Sequence, residues 1–244
     1  MFPYYVYFYP PIPYLMKILL VVATFFEISP FLNKLDFLQK TNKFLHQYRF
    51  KDTSIDVLIP GAGMMATAFH MGRQFSLEQY DFAINAGICG SFIPTIRIGD
   101  VVEIIEDCIS DMGAEDNDKF LSLFDLGLLD PDSAPYVNGK LIKNDKTGSK
   151  VLEKLPKVKG ITVNTVHGNR QSIEQVRSLF SPVTESMEGA AFLYACLLEG
   201  IPCIQLRAVS NYIELRDKSK WDIGCAVKNL NSVLVDFVEE QIRV

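Results

Sequence analysis

The chain has 244 residues, 48% of them hydrophobic and 22% charged, with a net charge of −5 and a pI near 5.3. That length and apolar content suit one α/β domain with a large core, and an acidic chain with scattered Lys and Arg lacks the basic face that a nucleic-acid partner needs. A small-molecule ligand is expected instead. The five cysteines, Cys89, Cys108, Cys196, Cys203 and Cys225, form no C-x-x-C pair and sit mostly among apolar residues. They read as reduced core residues of a reducing, cytoplasmic compartment, with no metal and no cofactor implied.

Residues 1–15 are uncharged and carry four prolines, which oppose a membrane-spanning helix. They read as a non-essential extension ahead of a domain at 16–244. Ile18 to Ala23 is a continuous apolar run, as in a strand buried on both faces. Ser29-Pro30 supplies a helix cap and a first-turn proline, and Phe31, Leu35 and Leu38 follow at helical spacing. His46 and His70 fall in helical patterns. Ile55 to Ile59 is the next strand, closed by Pro60-Gly61-Ala62-Gly63, and Met64 to Met71 is a helix.

Phe82 to Asn85 is a third strand, ending in a glycine turn, and Val101 to Ile105 a fourth. From Glu106 to Lys159 the Asp, Gly, Asn and Pro punctuation predicts a loop-rich segment, and the acidic run Glu115 to Asp118 lacks calcium-site spacing. Ile161 to Val166 and Ile201 to Val209 are strands, Met187 to Leu198 is a helix, and Trp221 to Ile242 is an amphipathic helix with Ala226, Leu230, Val233 and Phe237 on one face. Strands alternating with helices predict an α/β fold.

Two segments carry the chemistry, Glu185-Ser186-Met187-Glu188-Gly189-Ala190-Ala191 and Arg207-Ala208-Val209-Ser210-Asn211. Polar groups at the C-terminal ends of strands in such a sheet are where ligands sit. The Glu188 carboxylate can accept from both hydroxyls of a vicinal diol, Met187 offers an apolar face, and the Asn211 amide can donate to a base. Together they describe a nucleoside site.

A Met-Glu pair at a helix start, followed by a strand ending Arg-Ala-x-Ser-(Asp or Asn), resembles the nucleoside phosphorylase/hydrolase superfamily. Within it the chain is most similar to the methylthioadenosine/S-adenosylhomocysteine nucleosidases and the related futalosine hydrolases. Met16 to Glu27 matches the family's opening strand and the carboxylate beyond it. Gly61-Ala62-Gly63-Met64 matches its first glycine turn, Asn85 to Ser91 its second, and Ile98 to Val102 the strand that follows.

The resemblance implies a single-domain mixed sheet partly closed into a barrel and flanked by helices. It implies that Glu27 activates water, with Phe25 and Phe26 expected to raise its pKa. Met187 and Glu188 are implied to hold the ribose, Ser210 to orient Asn211, and Gly87, Ile88 and Cys89 to line the substrate. His167 stays open between pocket-lining and structural roles, and Arg207 reads as an ion-pair or backbone-organising residue inside the strand. Relatives complete the 5′ pocket with a neighbouring subunit, so a homodimer is expected.

The family's adenine-releasing members carry aspartate where this chain has Asn211. An amide donor faces O6 or N7 of a 6-oxopurine but meets the amine of adenine with like polarity, which costs about 1–3 kcal/mol when buried. Hypoxanthine is therefore the expected leaving base, and Phe92, Phe120 and Phe124 are candidates for a bulky aryl 5′ group. The phosphate-binding arginines of a phosphorylase are missing, which favours water as nucleophile. The alternatives are an adenine-releasing nucleosidase with a relaxed base site, an inosine-type nucleosidase or phosphorylase, and a nucleoside-binding protein without turnover.

Overall fold

The computed structural model describes residues 16–143 and 147–241, so the extension expected at 1–15 lies outside the described residues. In chain order the strands are β1 (Met16–Val21), β2 (Asp36–Lys40), β3 (Leu45–Phe50), β4 (Thr53–Leu58), β5 (Phe82–Ser91), β6 (Val101–Asp107), β7 (Gly113–Asp116), β8 (Lys119–Ser122), β9 (Leu141–Ile142), β10 (Lys157–Thr162), β11 (Thr184–Ser186) and β12 (Cys203–Tyr212). The helices are α1 (Ser29–Leu32), α2 (Met64–Leu77), α3 (Lys150–Glu153), α4 (Arg170–Phe180), α5 (Gly189–Glu199) and α6 (Ile223–Gln241).

The main sheet runs β11-β10-β6-β12-β5-β1-β4-β3-β2, with β9 on the side of β6. Parallel pairing joins β1 to both β4 and β5, and β5 to β12. These strands are mostly apolar and buried over most of their length, and Asp56, Asn85, Gln205 and Arg207 are buried with them. One face packs on α1 and α6 through Ile18, Leu20, Ile84, Phe31 and Leu234. The other packs on α2 and α5 through Leu19, Val21, Met71 and Phe192.

Beyond β12 the sheet curls. Antiparallel β6, then parallel β10 and β11, bring the edge back to β5, where Glu185 pairs with Gly90 and Thr184 with Ser91. The five strands β5, β12, β6, β10 and β11 thus close a mixed barrel, the architecture expected. Strand β5 belongs to both parts. Its first half lies against β1, from Ile18↔Phe82 to Val21↔Asn85, and its second half leaves β1 for β11.

Several local expectations are corrected. The helix after Ser29 stops at Leu32, and Leu38 lies in β2, whose residues are all exposed. His46 lies in β3, paired with Val57 and Lys40. The expected second glycine turn is the latter half of a ten-residue strand, β5. Strand β10 ends at Thr162 rather than Val166, and α4 has no counterpart among the expected elements. Between Glu106 and Lys159 the described residues are mostly loop, with the β7–β8 hairpin, β9 and the single-turn α3.

A buried polar triad ties the barrel to α5. Asp107 accepts hydrogen bonds from Gln205 Nε2 at 2.9 Å and from Thr162 Oγ1 at 2.9 Å. Thr162 Oγ1 in turn accepts from Ala190 N at 2.7 Å, in the first turn of α5. A Cβ on Gly189 would stand 2.3 Å from Gln205 Nε2 and 2.4 Å from Asp107 Oδ2, so only glycine lets the helix start so close to the strands. The position of Glu188, one residue earlier, follows from this contact.

Burial raises the Asp107 carboxyl to about 6 from an ordinary 3.8, against the pull of Gln205 and Thr162. The folded state therefore holds this proton more tightly than the unfolded one. The stability it contributes is complete below about pH 4 and is lost as pH rises through about 6, a change of about 3 kcal/mol. Asp107→Asn, with the Gln205 amide turned to offer its oxygen, is expected to flatten this part of the profile, as measured by urea unfolding between pH 4 and 7.

Candidate active site

The C-terminal halves of β5 and β12, the turn after β1, the first turn of α5 and the loop after β10 surround one cavity of about 410 Å³. Glu27, Ile88, Cys89, Met187, Glu188, Ser210 and Asn211 all line it. The structure thus brings together the residues expected at the sugar and the base except Gly87, which lies directly behind the wall. There a Cβ would come within 3.0 Å of Arg207 Nη1 and 3.1 Å of Glu27 Oε1.

Glu27 closes a single 3₁₀ turn, Phe25–Glu27, that leaves β1. Its Oε2 accepts from Thr24 N and Thr24 Oγ1, each at 2.9 Å, and its Oε1 accepts from Ile88 N at 3.1 Å. Asn231 of α6 locks the turn from behind, donating to Glu27 O at 2.8 Å and accepting from Phe31 N at 2.8 Å. The carboxylate is 7% exposed, with lone-pair capacity left on Oε1. Phe25 and Phe26 do not bury it as expected, being 47% and 61% exposed. Its enclosure comes from the backbone of Thr24 and of β5.

Glu188 caps α5 and accepts from Gly63 N at 2.9 Å, a bond that joins the first glycine turn to the Met-Glu segment. Gly63 has φ of 103°, which glycine adopts without strain. Burial pushes the Glu188 carboxyl up; Arg207 and the Gly63 amide pull it down, and Glu27 pushes it further up. Arg207 is 2% exposed and donates to Asn85 Oδ1. Its guanidinium lies beside Gly87, as the Glu27 carboxylate does, and its charge acts on Glu188.

A β-bulge between Val209 and Asn211 re-aims the end of β12. Ser210 and Asn211 therefore lie within the strand rather than beyond it. Ser210 Oγ stands 2.8 Å from Asn211 Oδ1 and 3.2 Å from Cys89 O. Asn211 Nδ2 donates one proton to Tyr212 O at 3.0 Å, which leaves its second proton free. Cys89 is buried, and burial pushes its thiol up to about 12, so it presents a neutral sulfur to the cavity.

Two lining residues had no role assigned from the sequence or were left open. Glu185, 2% exposed, accepts from His167 N at 2.9 Å and also holds His167 Nδ1. The two residues are eighteen positions apart and meet only through the barrel. At the mouth, Arg216 lies over the Trp221 ring at 5.1 Å. Phe92, Phe120 and Phe124 do not line this cavity: Phe120 lines a second one of about 280 Å³, and Phe124 packs on Tyr136. The aromatic wall comes instead from Phe26, Tyr212 and Trp221. Among the described residues no cluster of His, Cys, Asp and Glu is arranged to hold a metal ion, and no helix is long and apolar enough to cross a membrane.

Residues 17–239 match the phosphorylase superfamily, and the chain belongs to that family. It is 33% identical over 161 residues to a futalosine hydrolase of Streptomyces coelicolor, a stretch spanning 64% of each chain. It is 30% identical over 185 residues to a futalosine hydrolase of Acidothermus cellulolyticus, covering 72% of this chain and 71% of the relative. A 5′-methylthioadenosine/S-adenosylhomocysteine nucleosidase of Tolumonas auensis is 26% identical over 206 residues, covering 79% and 85%. The fold is shared with the solved futalosine hydrolase of Helicobacter pylori, at a TM-score of 0.78, 18% identity and coverage of 93% and 98%. It is also shared with that organism's nucleosidase bound to butyl-thio-DADMe-Immucillin-A, at a TM-score of 0.80, 18% identity and coverage of 93% and 99%.

The approach of Glu27 and Arg207 across Gly87 sets a packing limit. Gly87→Ala is expected to destabilise the protein by about 1–3 kcal/mol through overpacking. Gly72→Ala, on the exposed face of α2 where an added Cβ meets nothing within 4 Å, is expected to stabilise it by about 0.5–1 kcal/mol. Denaturant midpoints of the two variants check the contrast.

Proposed function

We propose that the protein is an N-ribosidic hydrolase that cleaves a 6-oxopurine nucleoside, with futalosine as substrate and hypoxanthine plus dehypoxanthine futalosine as products, in menaquinone biosynthesis. The observation that carries this reading is the shared wall: two carboxylates, Glu27 and Glu188, with the Asn211 amide in the same cavity. Breaking the N-ribosidic bond makes the sugar cation-like and the base anion-like. The site must therefore be electronegative at the sugar and offer a donor at the base.

Glu27 Oε1, fixed by the Ile88 amide, takes a proton from water as the water oxygen attacks C1′. Glu188 accepts from the 2′ and 3′ hydroxyls, and Met187 packs on the sugar. The electron pair of the C1′–N9 bond passes to the base, where the free Asn211 N–H meets the charge developing at O6 or N7. The proximity of Glu27, which raises the Glu188 carboxyl, supports a cationic sugar and disfavours an anionic nucleophile such as phosphate. Arg216 is the only arginine or lysine on the cavity wall among the described residues.

The relatives named futalosine hydrolase support the futalosine assignment, and Asn211 supports hypoxanthine over adenine. Glu27→Gln is expected to leave nucleoside binding within about twofold while turnover falls by ~10²–10⁴, since only the base is removed. Near-native turnover would overturn the assignment. Asn211→Asp is expected to shift the kcat/KM ratio towards adenine nucleosides by at least about tenfold, because a protonated carboxyl both donates to N7 and accepts from the 6-amine. A ratio unmoved in steady-state assays with both nucleosides would remove Asn211 from base recognition.

A further inference from the structure

Glu185 and Asn211 are register partners of the same residue. Across β5, Asn211 pairs with Gly90 on one side and Glu185 pairs with Gly90 on the other. Directly paired residues of neighbouring strands project to the same face, so the two side chains stand at one level, two strand spacings or about 10 Å apart. Between them Gly90 has no side chain, and a Cβ there would strike Ile213 Cδ1 at 2.1 Å. Ile213 therefore packs directly on Gly90, an apolar side chain set between the two polar ends, and all of these residues line the cavity.

At the Glu185 end the group that reaches outward is His167. Its backbone N–H and its Nδ1 are both held by the Glu185 carboxylate, a buried group with no donor of its own. A carboxylate only accepts, so the neutral ring must carry its proton on Nδ1 and present a lone pair at Nε2. Nε2 has no protein partner among the described residues, and His167 stands on the wall shared by this cavity and the second one. Phe92, whose ring centroid lies 6.5 Å away, packs on the ring, and Phe92 O is held by Arg177 Nη2 at 2.8 Å.

We propose that His167, its tautomer set by Glu185, is a specificity-determining residue that accepts the N1–H of a 6-oxopurine opposite Asn211. A 6-oxopurine carries a donor at N1, and adenine carries an acceptor there. A lone pair at Nε2 matches the first and opposes the second. With Asn211 donating to O6 or N7, the base is read at two points of opposite polarity. This inference rests on the 6-oxopurine reading of the site.

The tautomer argument yields a test that a purely structural role would not pass. In Glu185→Gln, the single amide oxygen must accept the fixed backbone N–H of His167, and the NH2 must donate to Nδ1. The ring proton is then driven to Nε2, which becomes a donor suited to N1 of adenine. Binding of hypoxanthine and adenine is measured by calorimetry on the wild-type protein, Glu185→Gln and His167→Phe. The wild type is expected to prefer hypoxanthine. Glu185→Gln is expected to move the Kd ratio at least about tenfold towards adenine, and His167→Phe to erase most of the preference.

A ratio within about twofold of wild type in Glu185→Gln would overturn the proposal and leave the function standing. If that variant binds neither base, the decision falls to His167→Phe, and an unchanged ratio there overturns the proposal equally. A wild-type protein that prefers adenine would instead overturn the 6-oxopurine reading, and this inference with it.

Discussion

The site depends on one constraint, the absence of side chains at Gly87 and Gly90 in the second half of β5. This strand is shared by the open sheet and the barrel, and it passes between the elements that carry the polar groups. At Gly87 the Glu27 carboxylate and the Arg207 guanidinium both approach within about a Cβ contact of the backbone. At Gly90 the missing side chain leaves room for Ile213, which packs on the strand between its partners Asn211 and Glu185. Side chains at these positions would fill the cavity or push the charged groups apart, and the closure of β11 onto β5 would carry them to the wrong distance.

A second set of contacts fixes the opposite wall. Gly189 lets α5 begin against Gln205 and Asp107, and the Gly63 amide takes the Glu188 carboxylate across from the first glycine turn. Each carboxylate of the site is held by backbone N–H groups, from Thr24, Ile88, Gly63 or His167. Backbone donors are oriented by the fold and need no reorganisation during reaction, which is the property electrostatic catalysis requires. On the proposed reading, the cost of gathering acidic groups is offset where a cationic sugar forms, with Arg207 behind them limiting the repulsion.

The buried strands were legible because burial on both faces leaves mostly apolar runs, continuous from Ile18 in β1 and interrupted by Asp56 in β4 and by Gln205 and Arg207 in β12. Strands β2 and β3 were not: Phe37 and Leu38 are exposed, and their spacing with Phe31 and Leu35 imitates a helix. The length of β5 was hidden by its glycines, which read locally as a turn and become strand only because β12 and β11 pair with them. Met187, Glu188 and Asn211 were legible from their chemistry at a helix start and a strand end, Glu27 and Ser210 through resemblance, and their convergence on one cavity is a property of the fold. The contact of His167 with Glu185 had no local signal, since sheet register alone brings the two together. The aromatics failed for a related reason: Phe92, Phe120 and Phe124 are apolar enough for a pocket wall, but packing assigns them elsewhere.

The central claim is that water, and not phosphate, cleaves a 6-oxopurine nucleoside in this cavity. Its most direct test is product analysis of the purified protein incubated with futalosine, inosine and methylthioadenosine, each with and without phosphate. The account predicts hypoxanthine and a free reducing sugar from futalosine, at a rate that phosphate does not raise. A sugar 1-phosphate product, or cleavage of methylthioadenosine in preference to futalosine, would contradict it.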